Sequence, residues 1–120
     1  MSIDLRRGCK QNSYVFEGAR NKNVTNSYVE AEGVFMNLTP IVLWKDMVLK
    51  SISASSDGVE TWIAEIHDDG TPILGATLSV TSSSEGTRDD LNIKLPKGTK
   101  LMFYVNGSKI KKSRIVIEAL

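Results

Sequence analysis

His67 is the only histidine in 120 residues, and it opens the run His67-Asp68-Asp69-Gly70. One reading of this run is a metal or acid–base cluster; the other is a polar hairpin turn. A zinc site needs three or four ligands drawn from further His or Cys, and the single cysteine, Cys9, lies near the start of the chain. A calcium loop needs oxygens at alternating positions up to a closing Glu, which does not follow here. Asp-Gly supplies the positive φ that tight turns require. The turn is the reading adopted, and no metal or cofactor is expected.

Other routes to catalysis are equally thin. The pairs Asp68/Asp69 and Asp89/Asp90 are adjacent in sequence, so on a strand each pair splits between opposite faces and cannot act as a carboxylate dyad. Serines are numerous but have one histidine to activate them, and neither a Gly-x-Ser-x-Gly elbow nor a phosphate-cradling Gly-rich loop occurs. Cys9 sits near Arg7 and Lys10, which favour a thiolate, yet its place near a chain end gives it no fixed geometry. The expectation is a protein that is not an enzyme.

Charge is the stronger signal. The formal net charge is +1, but it is unevenly spread. Residues 1–25 hold five Lys/Arg against two acids, residues 26–93 three against eleven, and residues 94–120 seven against one. Both ends are basic and the middle is acidic. Such asymmetry steers a protein toward an oppositely charged surface or toward the acidic middle of a sister copy. The alternative is that opposing strands neutralise each other within one molecule. Candidate partner-binding residues are Arg6, Arg7, Lys10 and Arg20, with the neighbouring aromatics Tyr14 and Phe16, and Lys109, Lys111, Lys112 and Arg114 near the end. The lysine cluster lies close to Phe103 and Tyr104, as a nucleic-acid platform would require. Near-neutral overall charge and an acidic middle argue against nucleic acid as the partner.

The elements that must carry these residues are strands. From about residue 28 onward apolar residues alternate with polar ones. Trp62/Ala64/Ile66, Ala76/Leu78/Val80, Leu91/Ile93/Leu95, Leu101/Phe103/Val105 and Ile115/Ile117/Ala119 each mark one inward face. Turn chemistry at 55–58, 67–70, 82–86, 96–98 and 106–108 separates them, a spacing that fits a sandwich or a barrel. The expected fold is all-β: a single antiparallel β-sandwich, jelly-roll-like, of seven or eight strands over residues 27–120. Residues 1–26 are polar and basic with no sustained period; they are expected to form an extended N-terminal arm, with a short strand at 13–16. Trp62 shares the parity of an inward face. Trp44 lies where the alternation is imperfect and can face outward, so Trp44 and Tyr104 are candidate ligand platforms. The longest apolar run is five residues, Leu101 to Val105, far short of a bilayer span, so no membrane partner is expected. No basic start leads into an apolar stretch, and synthesis in the cytosol is expected.

The stretches "VLWKDMVLKSISAS", "ETWIAEIHDDGTPILGATLSV" and "LPKGTKLMFYVNG", followed by a last apolar strand, resemble small jelly-roll modules of tailed-bacteriophage virion proteins. The resemblance covers about two-thirds of the chain, from Ile41 onward. It implies a virion structural protein. Similar modules look alike in capsid decoration (cement) proteins, head fibres, baseplate proteins and receptor-binding fibres. A single short domain, a basic arm and no obvious aromatic sugar platform favour decoration. On that expectation the major capsid protein is the partner, the protein sits on the virion head as a homo-oligomer (a trimer, or a dimer on a two-fold), and symmetry multiplies weak contacts. The alternative is a tail-fibre, head-fibre or baseplate module that binds a carbohydrate receptor.

Overall fold

The computed structural model describes residues 13–31 and 40–120. Alternating residues become eight strands: β1 (Tyr14–Ala19), β2 (Ser27–Ala31), β3 (Ile41–Val42), β4 (Met47–Asp68), β5 (Thr71–Arg88), β6 (Ile93–Leu95), β7 (Lys100–Asn106) and β8 (Arg114–Ala119). All pairings are antiparallel. No helix long and apolar enough to cross a membrane occurs among the described residues.

Five strands close into a ring. β1 bonds β2, β2 bonds β7, β7 bonds β4, β4 bonds β8, and β8 returns to β1. The hydrogen bonds thus join a closed barrel, where strand alternation by itself fits a sandwich equally well. A ring of antiparallel neighbours needs an even number of staves, because direction reverses at every step. β4 resolves the parity by serving twice: its residues 49–55 pair with β8 and its residues 63–68 pair with β7. Between them lies a bend. There Ser55 pairs with Glu85 and Glu60 with Ser83, so four residues of β4 face one of β5.

This bend revises two expected turns. Residues 55–58 and 82–86 do not end strands; they lie opposite each other inside the long β4–β5 hairpin. Serines and glycines from both strands coincide there and let the ribbon fold over. The hairpin's real turn is Asp69-Gly70, with φ of 51° and 94°, the two positive values of a type I′ turn. His67 stands in the strand before it, paired with Pro72.

The barrel interior is filled from the faces that alternation marks. Ile52, Ala64, Ile66, Leu101, Phe103, Val105, Ile115, Ile117 and Ala119 are fully buried, and Trp62 is buried among them. The expected arm differs. Residues 14–19 form β1, a stave between β2 and β8, and Phe16 is only 4% exposed. Phe16 is therefore a core residue, not a contact for a partner. The segment after β1 is also fastened: Val24 and Ile110 exchange backbone bonds at 3.0 and 2.9 Å, and Asn26 N–H donates to the Gly107 carbonyl at 2.9 Å.

Gly18 explains how β1 fits. A Cβ there would lie 2.7 Å from the Phe103 ring, which has no exposed surface and nowhere to retreat. Gly18→Ala is expected to lower stability by about 1–3 kcal/mol through overpacking. Chemical denaturation of the variant checks this; an unchanged midpoint would mean the ring does not press on β1.

Candidate functional site

Three segments meet at the bend of β4. The chain leaving β1 supplies Arg20, Asn21 and Lys22; the bend supplies Ser55, Ser56 and Asp57; the loop into β8 supplies Lys112, Ser113 and Arg114. Backbone bonds hold the three together. Arg20 N–H donates to the Ser113 carbonyl at 3.0 Å, Asp57 N–H donates to the Lys111 carbonyl at 2.8 Å, and Ala19 pairs with Arg114. They enclose an open groove of about 700 Å³.

Four cations line it, Arg20, Lys22, Lys112 and Arg114, against two carboxylates, Glu30 and Asp57. Arg20 grips Glu30 with two bonds, Nε to Oε1 at 3.1 Å and Nη2 to Oε2 at 2.9 Å. This fork geometry is the strong form of an ion pair. The hydrogen bond from Arg20 holds the Glu30 carboxyl below its ordinary value, outweighing the opposite pull of burial. Arg114 reaches Glu17 at 3.5 Å. Neither Lys22 nor Lys112 has a carboxylate within salt-bridge distance among the described residues. Ser113 is fully buried, and its hydroxyl has no hydrogen-bond partner among them. Lys112 also holds φ at 49°, a left-handed conformation that Gly or Asn adopts at lower cost. The groove can receive an anionic group, with two lysines to neutralise it.

A second polar cluster lies on the outer face of the barrel. Tyr28 Oη is 2.8 Å from His67 Nδ1, His67 Nε2 is 2.9 Å from Glu65 Oε1, and Asn106 Nδ2 donates to Glu65 Oε2 at 2.8 Å. Tyr104 stacks on the imidazole at 4.9 Å. Burial, then Tyr104 and Glu65, push the Tyr28 phenol above its ordinary value. The phenol therefore keeps its proton, and His67 bridges Tyr28 and Glu65 through its two ring nitrogens. The cluster ties β2, β7 and β4 together across three strands.

An aromatic corner forms where the segment between β3 and β4 meets β1. Trp44 is 56% exposed and meets Tyr14 edge-on at 5.5 Å and Phe16 at 6.2 Å. Lys45 Nζ lies 5.2 Å over the Tyr14 ring and donates to its hydroxyl at 3.4 Å.

Of the basic residues singled out in the sequence, Arg20, Lys112 and Arg114 converge on the groove. Lys109 and Lys111 are exposed on the same loop but do not line it. Arg6, Arg7 and Lys10 lie outside the described residues. Tyr14 belongs to the aromatic corner. Of the two candidate ligand platforms, Trp44 is exposed, whereas Tyr104 is half-buried against His67. Lys22 and the partners of His67 escape sequence reasoning; Lys22 sits in a stretch without period, and Tyr28 lies 39 residues from His67.

No family model matches the chain, and no curated protein is significantly similar to it. The groove must therefore be interpreted from its own chemistry.

Because folding depresses the Glu30 value, the Arg20–Glu30 pair stabilises fully above the ordinary 4.5 and is lost as pH falls through the lowered folded value. Arg20→Ala is expected to cost about 1 kcal/mol at neutral pH, and the deficit should shrink in acid. Denaturant titrations of both proteins across that range check it. A deficit that persists in strong acid would assign the effect to packing.

Proposed function

We propose that this chain is a bacteriophage virion structural protein, a capsid decoration (cement) protein that docks on the head shell through the basic groove. The convergence of Arg20, Lys22, Lys112 and Arg114 on one concave surface carries this reading. They come from both ends of the sequence, and together they suit an acidic patch on the major capsid protein. The resemblance to jelly-roll virion modules supplies the setting, the head surface, and the jelly-roll likeness belongs to this proposal. On this view the protein is not an enzyme. Each groove contributes a modest, salt-sensitive contact, and repetition over a symmetric shell turns many such contacts into a firm clamp.

The double variant Lys22→Glu/Lys112→Glu tests the groove. Neither side chain is buried, so the fold should persist with unchanged circular dichroism. Co-sedimentation with purified heads should fall at least about tenfold, and the salt dependence of the remainder should flatten. Retention equal to that of the parent protein would remove the groove from the interface. Failure of the parent protein itself to co-sediment would remove the decoration role.

Exposed Trp44 beside Tyr14 favours a second reading, a carbohydrate-binding receptor module. An indole presented to solvent can stack on the apolar face of a sugar ring. Trp44→Ala should then abolish retention on the matching glycan surface while leaving groove-dependent binding intact. If glycan retention is absent in the parent protein, or survives in the variant, this reading fails.

A further inference from the structure

β5 is bonded to β4 along one side, and among the described residues no strand bonds the other. Such an edge is a template for another strand, and proteins commonly guard it with charge, proline or bulges. The guards here are concentrated at the two ends of β5. Pro72 stands near the start, followed by a bulge in which residues 73–76 face Ile66 alone. Toward the far end Ser82 turns left-handed, with φ of 47°. Between them runs Thr77-Leu78-Ser79-Val80-Thr81. From Thr71 to Ser84 there is no charged residue, in a chain that is 24% charged.

The direction of the free backbone groups follows from Arg88. Its Nη1 donates to the Thr77 carbonyl at 3.0 Å and to the Gly75 carbonyl at 3.4 Å, so the backbone at 77 does not face β4. Bonded and non-bonded positions alternate along an antiparallel pair. Ser79 therefore also presents N–H and C=O to the open side, while Leu78 and Val80 bond β4; past Val80 the ladder is bulged, with Thr81 and Ser82 together opposite Thr61. Their side chains divide the other way: Leu78 and Val80 are buried, Ser79 and Thr81 exposed.

We propose that two copies of this chain pair β5 to β5, antiparallel, about a two-fold axis at Ser79. This register is self-complementary. Ser79 meets Ser79 of the second copy, Thr77 meets Thr81, and Leu78 meets Val80, so each face continues across the junction. Centring the pair between residues would set buried against exposed faces. Threonine and serine pairs are favourable cross-strand neighbours, and no like charges oppose each other, as isologous pairing demands. Glu85 and Arg88, the only charges of β5, fall beyond the paired segment. Arg88 still bonds the Thr77 carbonyl, which has a second lone pair to offer. The ladder is short, so association is weak. The inference does not depend on the virion reading.

Ser79→Pro isolates the contact. Its N–H faces away from β4, so proline removes no bond from the monomer, a setting in which an edge strand tolerates it. Sedimentation equilibrium of the full chain up to millimolar concentration should show a monomer–dimer equilibrium for the parent protein and monomer for Ser79→Pro, with matching circular dichroism. Thr77→Lys/Thr81→Lys, which sets like charges across the two-fold, should also be monomeric and serves if the proline variant misfolds. A parent protein that stays monomeric throughout overturns the proposal. So does an oligomer that either folded variant leaves unchanged.

Discussion

An antiparallel ring cannot close with five straight strands, and this barrel exists because β4 bends. The residues that allow it sit face to face: Ser55, Ser56 and Gly58 on β4, Ser83, Ser84 and Gly86 on β5. Small side chains on both strands remove the cross-strand packing that keeps a ribbon straight. The fold-over is then secured. A Cβ on Gly86 would stand 3.4 Å from Val80 and 3.8 Å from Leu78, so the far half of β5 rests on the near half. Arg88 fastens the two with its bonds to the Thr77 and Gly75 carbonyls. β-Branched or large residues at the bend would favour one long ribbon, and the interior around Phe103 would lose a wall.

The same bend builds the groove. It delivers Ser55, Ser56 and Asp57 as one wall, while the β1–β8 pairing delivers the other, since Ala19 opposite Arg114 brings Arg20 and Lys22 beside Lys112. Side chains on loops are thus held by backbone bonds to a rigid ring, the arrangement in which loop residues act as binding groups. The Tyr28–His67–Glu65 cluster sits elsewhere, on staves β2 and β4, and its phenol is held protonated. It links strands.

Strand faces were readable because their signal is local. Leu101, Phe103 and Val105 alternate with their neighbours whatever surrounds them, and they are all buried. The bend was not readable as a bend. Ser-Ser-Asp-Gly has the same local chemistry in a hairpin turn and in a bulge, and only the partner strand, about 30 residues away, decides between them. β1 was legible only as a short strand at 13–16 of an extended arm, not as a stave of the barrel, for a related reason. Its inward face is Phe16 followed by Gly18, too little apolar surface to register as a pattern, and its bonds run to β8 at the far end of the sequence. Gly18 is small because Phe103 occupies the space, a contact no window of neighbouring residues reveals. The basic residues were visible as a set, but which of them would meet depended on that long-range pairing.

Charge segregation along the chain now has a structural consequence. The basic C-terminal segment does pair with the acidic middle, since β7 and β8 both bond β4 and Lys100 reaches Asp69 at 4.0 Å. β8 also pairs with β1, placing one basic end beside the other. Two of the four groove cations find carboxylates, Arg20 with Glu30 and Arg114 with Glu17, and Lys22 and Lys112 are left without one among the described residues. Like charges gathered in a concave site raise the free energy of the folded state, although water and salt weaken the effect. Lys112 adds backbone strain in its left-handed turn, where asparagine would relieve both the strain and the charge. Neither cost is offset by a salt bridge or side-chain hydrogen bond of the lysine among the described residues. An acidic partner in the groove would offset the electrostatic one, which is the physical ground for seeking the function of this protein in what it docks against.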